Sequence, residues 1–357
     1  TTVFNLTTMR VYNQYAHNMN ANALGNLADQ CAELAQIGKR LGQTLNHDDF
    51  REWIIQSLKH GGRAVHAWTS LRTKAPPLPA TMYDEDSGTR IYDFQSQADA
   101  YARYWNKIWG RRPNEQDTIT PILQQMHRLA LSQPADEVTS RMVLEGAYAF
   151  KADTALGIDQ VDVALWRHIN MVEAQSVADL LNKVELTGAW PLHLLTNIIV
   201  LMGKPNGGIR PIALMPMLYR LWTKIRKVNI GQWETVHGGP WDAALKGSSA
   251  LRAAVYGTFF DELCSEEDRY IASILYDMEK FYDNISIPKL LGEAEQLDYP
   301  AHAMSMGIQM HMAPRLIKAR DCYCYAPLPS NGIITGCTQS NSFARVLLHR
   351  LMDTAYY

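Results

Sequence analysis

The pattern of apolar residues changes character near residue 151, and this change restricts the fold more than any other feature of the chain. Before it, apolar side chains recur three and four apart: Leu24, Leu27, Cys31, Leu34, Ile37 and Leu41, then Phe50, Trp53, Ile54 and Leu58. That is the repeat of an α-helix with one buried stripe. Asn46, Asp48 and Asp49 predict a second helix start, and Gly61-Gly62 predicts a break or bend. Pro76, Pro77 and Pro79, followed by an acidic turn at Asp84-Glu85-Asp86, predict a linker over 75–95. A helix over 96–109 carries Tyr101, Tyr104, Trp105, Ile108 and Trp109, and this spacing predicts core packing rather than base stacking. After residue 151 the apolar runs shorten, are broken by Gly, Pro and charged turns, and alternate with amphipathic helices. The fold class expected is α+β.

Within that second part, 197–202 and 209–214 read as two strands joined by the tight turn Gly203-Lys-Pro-Asn-Gly-Gly208, which puts Lys204 and Arg210 at a hairpin tip. Residues 270–276 form an apolar run that ends on Asp277. A carboxylate at the end of a buried strand costs free energy unless it is paired or binds a metal. Ser286 and Pro288 predict the start of a helix over 288–297. A strand is expected over 320–326, a turn over 327–332 and a helix over 340–352.

The charge balance is nearly even, 34 Lys+Arg against 36 Asp+Glu, with 47% hydrophobic residues. Disorder and collagen are excluded. The balance hides an asymmetry: from Leu186 to Trp233 there is no Asp or Glu, while Lys204, Arg210, Arg220, Lys224, Arg226 and Lys227 supply six positive charges. Five scattered cysteines, Cys31, Cys264, Cys322, Cys324 and Cys337, match neither a zinc spacing nor a disulfide framework, and reduced thiols in an intracellular setting are expected. The longest apolar run, around 192–202, is too short to span a bilayer. No membrane partner is expected.

Two segments carry chemistry. Asp277-Met-Glu-Lys-Phe-Tyr-Asp283 places one acid at a strand end and a second past a turn, a pattern open both to Mg²⁺ binding and to a structural role. Asn331-Gly-Ile-Ile-Thr-Gly-Cys-Thr-Gln-Ser-Asn341 is a glycine-containing loop leading into a helix, where backbone at Gly336 could approach a nucleotide or simply precede the helix start.

Their order along the chain resembles the reverse transcriptase domain of non-LTR, LINE-like retroelements. Thr154-Ala-Leu-Gly-Ile-Asp-Gln160 is similar to the segment that opens that domain, with Ile158 where proline is usual. Lys204-Pro-Asn-Gly-Gly-Ile-Arg-Pro-Ile-Ala-Leu214 is similar to its fingers hairpin, and His237-Gly-Gly followed by Lys246-Gly-Ser-Ser-Ala250 to the segment before the palm. Leu275-Tyr-Asp-Met-Glu-Lys-Phe-Tyr-Asp-Asn-Ile285 resembles the first palm motif. Residues 332–342 resemble the second, with Ser340 in place of a usual glycine. The likeness covers 151–352, a little over half the chain.

The resemblance implies a right-hand polymerase fold: a helical N-terminal region (1–74), the linker (75–95), a helical connecting region (96–150), fingers (151–265) and a partial palm (266–357). It implies RNA-directed DNA synthesis, a nucleotidyl transfer, with an RNA template, a DNA primer or product and deoxynucleoside triphosphates as partners. Asp277 is implied as a ligand of a two-Mg²⁺ site. Lys204 and Arg210 fall where the family binds the triphosphate, Tyr282 where it keeps an aromatic against the sugar 2′ position, and Gly336 and Gln339 at the nucleotide. Arg220, Lys224, Arg226 and Lys227 are the expected template-phosphate contacts. The nucleus or a cytoplasmic ribonucleoprotein is the location this implies.

Two rival readings are a domesticated or degenerate remnant that binds nucleic acid without catalysis and, with less support, a viral RNA-dependent RNA polymerase. The third palm motif, an aromatic with two adjacent aspartates, has no counterpart after Ser342; the remaining metal ligands are expected downstream of residue 357. These 357 residues are accordingly expected not to polymerise. A primer-extension assay with Mg²⁺ checks this, and template-dependent incorporation is the result that would refute it.

Overall fold

The structure is a computed structural model describing residues 21–59, 76–110, 113–133, 135–204, 208–245, 247–272, 277–326 and 329–356. It is a mixed helix and sheet protein with two small sheets. The chain divides into two units, one holding residues 21–59 with 247–262 and the other the remaining described residues.

In the first unit, α1 (Ala21–Lys59) is one continuous helix of 39 residues. The second start expected at Asn46, Asp48 and Asp49 is not there: the helix runs through all three. Asp and Asn inside a helix cost only a few tenths of a kcal/mol each, too little to break it.

The second unit begins with a hairpin inside the expected linker. Strands β1 (Met82–Asp84) and β2 (Thr89–Ile91) pair antiparallel across the turn 85–88, closed by Gly88 at φ +65. The linker reading over 75–95 is therefore corrected. This segment is held in place, because Leu78 is buried and Arg320 donates to the carbonyls of Leu78 (2.9 Å) and Pro79 (2.7 Å).

Helix α2 (Phe94–Trp109) is capped by Asp93, whose carboxylate accepts from the Ser96 amide at 2.7 Å. It buries Tyr101, Trp105 and Trp109 as its spacing predicts, and leaves Tyr104 exposed. Helices α3 (Pro113–Ser132), α4 (Ser140–Tyr148), α5 (Val163–His168) and α6 (Met171–Thr187) follow. α6 opens with a reciprocal Asn170–Glu173 capping box and ends at Gly188 in the left-handed region.

The expected hairpin is present: β3 (Asn197–Gly203) pairs antiparallel with β4 (Ile209–Leu214), Met202 opposite Arg210. After it come α7 (Met217–Ile225), α8 (Lys227–His237), α9 (Ala250–Glu266, all but its last residues belonging to the first unit), α10 (Ile287–Gln296), α11 (Ala301–His311), β5 (Arg315–Ala319), β6 (Cys322–Ala326) and α12 (Ser340–Tyr356). The second sheet runs β4-β3-β5-β6, with β3 and β5 parallel and the outer pairs antiparallel. The strand expected over 270–276 falls partly on 273–276, outside the described residues, and 270–272 are exposed and irregular.

Residues 96–150 pack throughout against later elements: α2 on β5 and β6, α3 on α10 and α11, α4 on α6 and α7. The sheet likewise joins the β3–β4 hairpin to β5 and β6 from beyond residue 266. The methionines of α11 serve packing, with Met304, Met306 and Met310 buried. Among the described residues no helix is long and apolar enough to cross a membrane.

Two features lock α7 beneath the hairpin. Its N-terminus has no cap of its own, since Pro216 precedes it; instead Asp159 accepts from the amides of Met217 (2.6 Å) and Leu218 (3.3 Å). Gly157 lets the chain in, because a Cβ there would sit 2.2 Å from the Met215 carbonyl oxygen. At the other end Arg226 is buried at 2% exposure in an ion pair with Glu185 and also donates to the Asp136 carbonyl at 2.7 Å. Glu185 accepts in addition from Arg226 Nε (2.6 Å) and Trp222 Nε1 (2.7 Å). Removing one partner of a buried pair strands the other charge. Arg226→Ala is expected to lower stability by about 3–5 kcal/mol. Lys227→Ala, at an exposed position, should stay within about 0.5 kcal/mol; urea unfolding of both variants is the check.

Candidate functional site

A cleft of about 920 Å³ opens in the second unit. One wall is the end of the β3–β4 hairpin, with Lys204, Ile209, Arg210 and Pro211. A second is the segment from Asp277 to Asp283, and a third is α2 with the β1–β2 turn, bringing Tyr83, Asp84, Glu85, Asp86, Tyr104 and Lys107. Thr335 also lines it.

The second wall is shaped by an unusual backbone. Lys280 takes a left-handed φ of +47, after which Tyr282–Asn284 form a single 3-10 turn. That turn is held from outside. The Ile333 amide donates to the Tyr282 carbonyl and the Gly332 amide to the Ile285 carbonyl, both at 2.8 Å. Gly332 has φ +79, and a Cβ there would approach the Asp283 carbonyl oxygen to 2.5 Å, so this position needs glycine on both counts. Further along, the Ala213 amide of β4 donates to the Thr335 carbonyl at 3.0 Å. The two segments singled out from sequence, and the hairpin, thus meet at one place.

Four of the expected site residues share this cleft. Asp277 is exposed on its wall and makes no hydrogen bond to another described residue; Lys204 and Arg210 are exposed across from it. Tyr282 lines it, donating from its hydroxyl to Asn341 Oδ1 at 2.7 Å, and burial pushes its phenol pKa up. Glu279 is paired with Lys280, and this hydrogen bond holds its carboxyl below the usual range.

Other expectations need correcting. Gln339 is not at the cleft: it is 1% exposed, its Oε1 accepting from the Tyr219 hydroxyl at 3.1 Å. Gly336 sits behind Thr335 against β4, where its φ of +109 serves the turn. Arg226 is consumed by its buried pair with Glu185 and cannot reach a template phosphate. Arg220 donates to the Ala155 carbonyl at 2.6 Å and Lys224 to the Ala149 carbonyl at 3.1 Å. Both cations also lie over the Phe150 ring, at 5.7 and 4.6 Å from its centre. Of the four, Lys227 alone is exposed.

Asp283 is buried, and its carboxylate accepts from Trp109 Nε1 at 2.8 Å. Burial raises its pKa, opposed by the Trp109 hydrogen bond and by the charge of Arg315. Arg315 is itself buried at 1% exposure, its guanidinium carbon 4.3 Å from the Trp109 ring centre, and burial lowers its pKa to about 9. Sequence reasoning missed Trp109 and Arg315 as neighbours of the site; Trp109 lies 174 residues before Asp283, and no spacing pattern joins them. It also missed Tyr104 and the acidic turn, which only the packing of α2 brings to the cleft.

No group of three or more His, Cys, Asp or Glu suited to holding a metal occurs among the described residues. Cys264, Cys322, Cys324 and Cys337 are free, and the strand thiols Cys322 and Cys324 are only partly buried.

His311 supports the loop from below: its Nδ1 accepts from the Ile334 amide at 2.8 Å, and burial lowers its pKa from the usual 6.5 to about 3. The unfolded chain therefore takes up a proton that folded His311 refuses. Its contribution to stability is complete above pH 6.5 and is lost as pH falls toward 3. His311→Gln should flatten this part of the acid limb, seen by comparing urea midpoints at about pH 7 and about pH 4; an unchanged limb would refute it. No family model matches the chain, and no curated protein matches it in sequence.

Proposed function

We propose that this chain is the fingers and part of the palm of an RNA-directed DNA polymerase of the non-LTR retroelement type, and that the cleft takes a deoxynucleoside triphosphate. The observation that carries this reading is the meeting of Lys204 and Arg210, from the hairpin, with Asp277 and Tyr282, from the first palm-like motif, in one cleft. The chemistry of the walls agrees with a nucleotide. Lys204 and Arg210 offer charge-assisted hydrogen bonds to phosphate oxygens, and Tyr83 and Tyr104 present exposed rings suited to a base or sugar.

In this reading Lys204 and Arg210 hold the triphosphate and offset charge as it moves toward the leaving pyrophosphate. Tyr282 crowds the sugar 2′ position and disfavours ribose. Asp277 is the carboxylate of its motif left open in the cleft, since Glu279 pairs with Lys280 and Asp283 with Trp109. One open carboxylate fits Mg²⁺, which keeps waters and binds chiefly through substrate phosphates. When bound, the metal ions polarise the phosphoryl oxygens and lower the pKa of the attacking hydroxyl. Lys227 is the exposed cation left for template backbone.

The test is equilibrium binding of dATP with Mg²⁺ to the full chain. Lys204→Ala and Arg210→Ala should each weaken it about tenfold or more, the size of one charge-assisted hydrogen bond. Asp277→Asn should remove the Mg²⁺-dependent part. Variants that bind like the parent would defeat the proposal, and RNA binding without nucleotide binding would favour a nucleic-acid-binding remnant.

A further inference from the structure

Asp283 is unlike its neighbours in the turn: it borders the cleft, yet its side chain is buried and bonded to a residue of distant origin. Trp109 donates to it from the end of α2. The same indole carries the Arg315 guanidinium on its face. Asp283, Trp109 and Arg315 line a common small pocket of about 10 Å³. Trp109 is in turn pinned, since the Ser330 amide donates to its carbonyl at 2.9 Å. Arg315 Nη2 donates to the His311 and Gly332 carbonyls at 3.2 and 3.4 Å. A buried acid and a buried guanidinium carry a desolvation cost that well-packed apolar residues would avoid, so stability alone gives little account of the arrangement.

Its mechanical effect is on the residue next door. Tyr282 precedes Asp283 in a single 3-10 turn, too short to fix its own orientation; its hydroxyl is tied to exposed Asn341 and its carbonyl to the Ile333 amide, and the buried anchor of the turn is Asp283. We propose that Asp283, held by Trp109 with Arg315 behind it, is a positioning residue that sets the Tyr282 ring in the cleft and thereby the preference for deoxyribose over ribose. This rests on the nucleotide reading of the cleft and extends it to a residue of α2, which would make that helix part of the selectivity machinery.

The probes are dATP and ATP, each with Mg²⁺, titrated onto the full chain. Trp109→Phe keeps a ring beneath Arg315 and deletes the N–H that Asp283 accepts. The ratio of ATP to dATP dissociation constants is expected to fall about three- to tenfold, because only part of the worth of the lost hydrogen bond is passed on to the neighbouring ring. In a Tyr282→Ala background, where the ratio is already reduced, Trp109→Phe should add nothing, because both changes act through one ring. An unchanged ratio in a Trp109→Phe protein with a cooperative thermal transition overturns the proposal, as does an additive effect with Tyr282→Ala. Should Trp109→Phe fail to fold, Asp283→Leu, which cannot accept the Trp109 N–H, carries the same comparison. If dATP binding is indifferent to Lys204→Ala, the cleft reading falls and this proposal with it. Sensitivity to Lys204→Ala with an unaltered ratio removes the positioning role alone.

Discussion

The cleft hangs on the backbone of residues 332–335. Successive amides and carbonyls of this stretch bond the turn at Tyr282–Ile285 on one side and strand β4 on the other. The acid-bearing turn and the cation-bearing hairpin therefore keep their relation through main-chain hydrogen bonds rather than through the side chains facing the cleft. Such an approach of three backbones is possible only where a side chain is missing, as at Gly332. The loop is then secured from within the core. His311 accepts from the Ile334 amide, and Ser340 Oγ donates to the Ile334 carbonyl at 2.5 Å. Ser340, which departs from the usual glycine of the resembled motif, thus has a partner and a structural role of its own.

Cations are sorted by burial. Arg226, Arg315 and Arg345 lie in the interior, Arg226 with Glu185, Arg345 with Glu234 and Asp242, Arg315 on Trp109. Lys204 and Arg210 remain in solvent at the cleft. A nearly neutral chain can therefore present a locally basic wall, because charge counted along the sequence says nothing about which guanidinium is neutralised by a carboxylate from another element. The acid-free stretch from Leu186 to Trp233 is the clearest case: two of its six cations line the cleft, two rest on Phe150 and backbone carbonyls, one is buried, and Lys227 is exposed.

Local patterns were legible where a single segment decides its own conformation. The hairpin at 197–214 follows from two apolar runs around a Gly- and Pro-containing turn, and the aromatic stripe of α2 from helical spacing. The Ser286-Pro288 start of α10 was legible too. Errors arose where the answer depends on a partner. The β1–β2 hairpin hides among prolines and acids and is fixed by Arg320 and the packing of Leu78. Strand β5, missed between Pro314 and the turn at Arg320, owes its place to parallel pairing with β3. Gln339 and Arg226, chosen for ligand and template by position, are held in the core by Tyr219 and Glu185.

The sequence by itself determined the mixed helix and sheet class and the hairpin that carries Lys204 and Arg210, since these follow from periodicity and turn chemistry. Only the tertiary structure decided which charges are open and which are spent, and that α2 forms a wall of the cleft through Tyr104 and Lys107. The reason is physical: burial and pairing are properties of contacts between segments far apart in the chain, and the free energy of a charge is set by those contacts rather than by its neighbours in sequence.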